Sequence, residues 1–112
     1  MTIVAVVNQK GGIAKTTTAV TLGHGLSLRG YRVLLVDLDP QGNVADCLGL
    51  QAGNDLMMLL NPGSIAKLES CVLPSGRQGL DVLRSDKMTV NLKLMIASMT
   101  MREYILDDLF KK

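Results

Sequence analysis

Lys10-Gly11-Gly12-Ile13-Ala14-Lys15-Thr16-Thr17-Thr18 comes shortly after the apolar run Ile3-Val4-Ala5-Val6-Val7. A strand that breaks into paired glycines and restarts as a helix at Lys-Thr-Thr has the layout of a phosphate-binding loop. The residue types fit that chemistry. Gly11 and Gly12 carry no side chain, so successive backbone N–H groups can turn inward on a polyphosphate. Lys15 brings a point charge towards the β- and γ-phosphates, and Thr16 offers a hydroxyl to Mg²⁺. The start of the following helix adds the positive end of its dipole.

Working outward, residues 2–7 are near-continuously apolar and β-branched, which predicts a parallel strand covered on both faces. Residues 15–29 predict a helix with Ala19, Leu22, Gly23 and Leu26 on its packed face. Arg29 and Gly30 supply its stop. A second strand is expected at 32–36, and the strand, helix and strand together make a right-handed βαβ unit with two parallel strands. Parallel strands end on one side of a sheet. Asp37 and Asp39, in the sequence Asp37-Leu38-Asp39-Pro40-Gln41-Gly42, therefore emerge on the edge where the glycine loop leaves the first strand, and alternation puts both on one face. Asp-Pro-Gln-Gly is also good chemistry for a plain polar turn.

The rest of the chain carries weaker signals. Short helices are expected at 44–48 and 55–60, the latter ended by Asn61-Pro62-Gly63. A short strand is expected at 71–73, a turn at Pro74-Ser75-Gly76, and a third strand at 80–83. Asp86 is a candidate cap for a helix reaching 95–99, and a last helix, from 100 or 101 to 110, would put Tyr104, Ile105 and Leu109 on one face. The expected fold is α/β with a mostly parallel sheet.

Composition bounds the function. The 112 residues, 47% hydrophobic and 20% charged, suit one globular domain, and 3% aromatic content makes the core aliphatic, with seven Met residues to help fill it. A net charge of +2 without a basic run or an aromatic platform gives no argument for nucleic acid. Cys47 and Cys71 stand in no metal-ligand spacing and read as buried free thiols, which fits an intracellular compartment. His24 reads as a helix-surface or packed imidazole. No stretch approaches a membrane span and the N-terminal run lacks a signal-peptide layout, so a cytoplasmic protein is expected.

The glycine loop resembles the deviant Walker A loop of the ParA/MinD family of partition and positioning ATPases, whose pattern is KGGxGKTT. By that resemblance Lys15 is the phosphate-loop lysine and Lys10 the signature lysine, which in the family reaches the nucleotide of the partner subunit in an ATP-dependent homodimer. The resemblance makes Lys10, Lys15 and Asp39 the catalytic set. It extends the nucleotide contacts over Lys10, Gly11, Gly12, Ile13, Ala14, Lys15, Thr16 and Thr17, with ATP and Mg²⁺ as cofactors and Thr16 and Asp37 near the metal. Asp39 matches the residue that positions or activates the attacking water. The segment Val33-Leu34-Leu35-Val36-Asp37-Leu38-Asp39-Pro40-Gln41-Gly42-Asn43 favours the chromosome- and plasmid-partition branch. That branch implies a ParB-like centromere-binding partner, nucleoid association, DNA contacts only through regions this chain does not include, and no membrane.

Two departures qualify the resemblance. Ala14 stands where the family has glycine; if that position needs φ > 0, alanine costs about 1–2 kcal/mol, or about 5- to 30-fold in affinity. The family places an apolar strand ending in a Walker B Asp after a helix like 102–112, and Asp107 and Asp108 lie in a helical pattern; the resemblance therefore implies that the 112 residues are the N-terminal portion of a single nucleotide-binding domain of P-loop type, three-layer α/β/α and incomplete at the C-terminus. Two functions are expected in consequence: an ATP-hydrolysing partition protein of the ParA type, or a truncated or degenerate relative that binds nucleotide or a partner without turnover.

Overall fold

Apolar residues lie around all sides of the segment Ile13–Leu28, which forms one continuous helix, α1, in the computed structural model. The structure describes residues 2–6, 13–39, 41–60 and 65–86. Helix α1 begins two residues before the expected 15 and ends at Leu28, one before the expected 29, with Gly30 as its stop. Gly30, at φ 93°, takes the left-handed position. Its N–H donates to the Ser27 carbonyl (3.0 Å) and the Tyr31 N–H to that of Leu26 (3.2 Å), closing the last turn. The packed face agrees with the expected one at Gly23, which is buried, and departs from it in that Thr16 and Ser27 are buried, Val20 packs on the core and Leu22 is exposed. Leucine and alanine recur on both sides of this helix, so spacing could not choose between faces. The choice is made by Gly23, where an added Cβ would lie 3.0 Å from Leu35 Cδ2 and 3.5 Å from Leu80 Cδ1. The bare backbone at that point lets the helix lie close on the sheet.

The sheet has the order β1-β3-β2, with β1 at Val33–Val36, β2 at Leu73–Arg77 and β3 at Leu80–Leu83. Strand β1 runs parallel to β3 with Val36 opposite Leu83, and β2 runs antiparallel to β3. The fold is α/β, and its sheet is mixed. Two expectations fail in detail. Residues 2–6 form no strand, and Ile3 and Val4 are 67% and 61% exposed. Their strand propensity is real, but a strand needs a neighbour to take its backbone hydrogen bonds, and this segment has none in the sheet of three. Pro74, Ser75 and Gly76 form no separate turn but lie inside β2, while Cys71 closes a short helix, α4, Leu68–Cys71. Proline is admissible there because β2 is an edge strand with a register irregularity between Pro74 and Arg77.

Helices α2 (Asn43–Cys47) and α3 (Asp55–Leu60) fall within a residue of the expected spans. Helix α1 packs on β1, β3 and α2, and α3 packs against α4. Val44, Leu48, Leu80 and Val82 form the core, with Val20, Val33, Leu35, Leu50 and Leu73 packed against it, aliphatic as composition requires. Cys71 is buried and Cys47 exposed, both free, so only one thiol sits where expected. The expected first-strand residue Val7, the turn at 61–63 and the helices beyond 86 lie outside the described residues. Among the described residues no helix is long and apolar enough to cross a membrane.

Candidate functional site

Lys15 is the third residue of α1 and Thr16 the fourth, in the first turn, where backbone N–H groups have no intrahelical acceptor. Thr16 is buried at 4% exposure, while Thr17 on the next position is exposed. Ala14 lies within the helical span. Its backbone is therefore right-handed, and the left-handed penalty considered from the sequence does not apply in this conformation. Ile13 shares the first turn, and Lys10, Gly11 and Gly12 lie outside the described residues.

The second half of the site follows β1. The Asp37 N–H donates to the Leu83 carbonyl (3.1 Å), the last rung of the parallel pairing, and there the chain leaves the sheet. The Asp37 side chain, 3% exposed, folds back on its own backbone. Its Oδ1 accepts the Asp39 N–H at 2.9 Å, and its Oδ2 accepts the Val44 N–H at 3.4 Å. Asp39 repeats the device, its Oδ1 accepting the Gln41 N–H at 3.0 Å while its carbonyl accepts the Gly42 N–H at 3.0 Å. Two successive Asx turns thus shape the loop, so the turn chemistry and the placement of carboxylates are one feature rather than alternatives. Val44 sits in the first turn of α2, whose cap residue, Gly42, brings no side chain. Asp37 therefore caps α2 from seven residues upstream.

Asp39 Oδ2 lies 3.4 Å from Lys15 Nζ, the two side chains 21% and 24% exposed. This ion pair joins the start of α1 to the loop after β1, although the first strand of the expected βαβ unit is not formed at residues 2–6. Burial is the largest influence on Asp37 and pushes its carboxyl above the usual carboxylate range. The N–H groups of Asp39 and Val44 pull it down, the Asp39 charge raises it, and Lys15 lowers it.

The residue chemistry fits magnesium and phosphate. A hydroxyl and carboxylates are hard oxygen donors, and each oxygen of Asp37 keeps a lone pair beyond the one N–H it accepts. No cluster of three or more His, Cys, Asp or Glu occurs among the described residues. Magnesium bound to a nucleotide needs none, since one or two carboxylates and the phosphates themselves complete its shell.

Sequence reasoning missed the supports. Gly42, at φ 67°, presses on the end of β3, where an added Cβ would lie 2.6 Å from the Ser85 carbonyl oxygen. Arg84, just past β3, holds Asp55 with two parallel bonds, Nε to Oδ2 at 2.7 Å and Nη2 to Oδ1 at 3.0 Å. Its backbone N–H adds a third bond to Oδ2 at 3.2 Å, and Nη1 donates to the Gln51 carbonyl at 3.0 Å. The guanidinium lies against Gly53, where a Cβ would come within 2.5 Å of it. The only sequence signal for this clamp was a glycine ahead of α3 and an acid at its first residue, too general to name a partner 29 residues away.

A lysine and a buried threonine at the start of a sheet-covering helix, opposite acidic turns at the carboxyl edge of a parallel strand pair, define an α/β domain with a phosphate-loop type of site. The chain belongs to the AAA domain family, which matches residues 1–112, and its ParA/MinD resemblance is carried by the relatives it matches. It is 37% identical over 109 residues to the chromosome partitioning protein ParA of Caulobacter vibrioides (strain NA1000 / CB15N), covering 95% of this chain and 40% of that one. It is 40% identical over 105 residues to the chromosome-partitioning ATPase Soj of Thermus thermophilus, covering 94% and 41%. Among solved structures it is similar to cobyrinic acid a,c-diamide synthase from Mycobacterium smegmatis with bound ADP and magnesium, with a TM-score of 0.79, 31% identity, and 94% and 43% coverage. The chain spans about two fifths of the length of each of these proteins.

Proposed function

We propose that residues 1–112 form the phosphate-binding portion of a ParA-type ATPase that acts in chromosome or plasmid segregation. The observation that carries the reading is the meeting of Lys15, in the first turn of α1, with Asp39, in the loop after β1. Lys15 binds the β- and γ-phosphates, with Gly11, Gly12, Ile13, Ala14 and Thr17 supplying backbone contacts around them. Thr16 and Asp37 are the oxygen donors for Mg²⁺, which neutralises phosphate charge when bound. Asp39 orients the water that attacks the γ-phosphate, and Lys10 reaches the nucleotide of a second subunit in an ATP-dependent homodimer. A ParB-like centromere-binding protein is the partner, and the protein works in the cytoplasm on nucleoid DNA. These assignments are supported by the partition proteins this chain resembles and by the ADP and magnesium bound in its structural neighbour.

Lys15 acts on ground-state phosphate and Asp39 on the water, so the two separate in kinetics. Lys15→Ala abolishes nucleotide binding and turnover together. Asp39→Ala keeps binding and lowers turnover by about 10²- to 10⁴-fold. A coupled phosphate-release assay beside a binding titration checks both. An Asp39→Ala protein with full turnover removes that carboxylate from the reaction.

A further inference from the structure

Lys15 Nζ lies 3.4 Å from Asp39 Oδ2, so the cation assigned to phosphate already holds an anion of the chain itself. The two partners are not equally free to move. Asp39 is fixed by its own turn, with its Oδ1 on the Gln41 N–H, its carbonyl on the Gly42 N–H and its own N–H on Asp37 Oδ1. Lys15 is tethered only by a flexible four-carbon stem. A phosphate arriving at the start of α1 therefore draws Lys15 away from a carboxylate that stays in place. Asp37 also interacts electrostatically with both Lys15 and Asp39. Among the described residues the carboxyl groups of Asp37 and Asp39 outnumber the Lys15 ammonium, so these side chains work against a bare polyphosphate there. A divalent cation offsets them.

We infer that Asp39 occupies Lys15 in the nucleotide-free protein as an internal stand-in for phosphate, making the site select a metal-complexed polyphosphate over the bare anion. The inference rests on the nucleotide reading above and adds to it a specificity role for Asp39 in the ground state, separate from any role in positioning water. Removing one carboxylate charge about 6 Å from a phosphate at an effective dielectric constant of about 40 changes binding about tenfold.

The test is calorimetric titration of sodium tripolyphosphate, with and without Mg²⁺, into the full chain and into Asp39→Asn. Asp39→Ser serves as a second variant that keeps a short acceptor for the Gln41 N–H, and thermal unfolding checks that each variant is folded. Both variants are expected to bind metal-free tripolyphosphate about tenfold more tightly than the unmodified chain, and to lose most of its preference for the magnesium complex. In parallel, the ¹⁵N ammonium signal of Lys15 shifts in the unliganded chain on Asp39→Asn. Equal metal-free affinity in the chain and its folded variants overturns the occlusion and leaves the phosphate reading standing. Metal-free binding by the variants alone, with the magnesium complex bound by all three proteins, upholds both. Failure of every protein to bind with or without metal overturns the phosphate reading and the inference resting on it.

Discussion

At the scale of residues, Asp37 is set apart by burial, and its two carboxylate oxygens hold the loop that carries Asp39. Because its folded carboxyl titrates above the unfolded value of about 3.9, the folded chain binds more protons than the unfolded one in that range. The contribution of this group to stability is therefore greatest below about pH 4 and is lost as pH rises through the folded value. Urea unfolding of the chain and of Asp37→Asn from pH 4 to 7 should show the stability difference moving against the unmodified chain as pH rises, then levelling off. A difference that moves the opposite way contradicts the burial argument. Ala14 makes the second residue-scale prediction. In α1 it is helical, so Ala14→Gly should weaken the first turn by up to about 1 kcal/mol and should not tighten magnesium-ATP binding. A tenfold gain in affinity would show that the nucleotide-bound loop requires the left-handed conformation after all.

Among the elements, the end of β3 carries the most structure that the sequence did not disclose. Its span could be read from Leu80-Asp81-Val82-Leu83, and the spans of α1, β1, α2 and α3 from their apolar runs, glycine stops and turn residues. The supports beyond it depend on pairs distant in the chain, Gly42 with Ser85 and Arg84 with Asp55, for which single residues give no periodic signal. The face of α1 was legible only in part, since Gly23 lies on the expected face and meets Leu35 and Leu80, while Leu22 is exposed. Gly42→Ala places a Cβ at φ 67° and 2.6 Å from a backbone oxygen, which costs about 1–2 kcal/mol for the conformation and more for the collision. Thermal unfolding should show a loss of at least about 2 kcal/mol, and a loss under 0.5 kcal/mol would mean the loop can move off β3. Arg84→Lys keeps the charge but loses the two-bond fork on the mostly buried Asp55, and should cost about 2 kcal/mol by urea unfolding. A neutral result would reduce the clamp to a surface pair.

For the whole molecule, the class of fold and the meeting of Lys15 with Asp39 were legible because the start of the helix and the acidic turn lie between residues 15 and 42, local enough for residue type and spacing to place them. Sheet pairing was less legible, since it is decided by which strands find neighbours. Residues 2–6 have the composition of an inner strand and yet expose Ile3 and Val4, and β1 has a strand partner on one side only among the described residues. Exposed apolar strand-formers and an open sheet edge each invite another chain. Light scattering over a concentration series should show self-association of the 112-residue chain with or without nucleotide, and a monodisperse monomer throughout would contradict this. The central claim is that Lys15, at the start of α1, binds the phosphates of a nucleotide. Calorimetric titration of magnesium-ATP into the chain and into Lys15→Ala tests it most directly: the account predicts saturable binding to the chain that is lost in the variant, and equal binding by both proteins, or none by the unmodified chain, would contradict it.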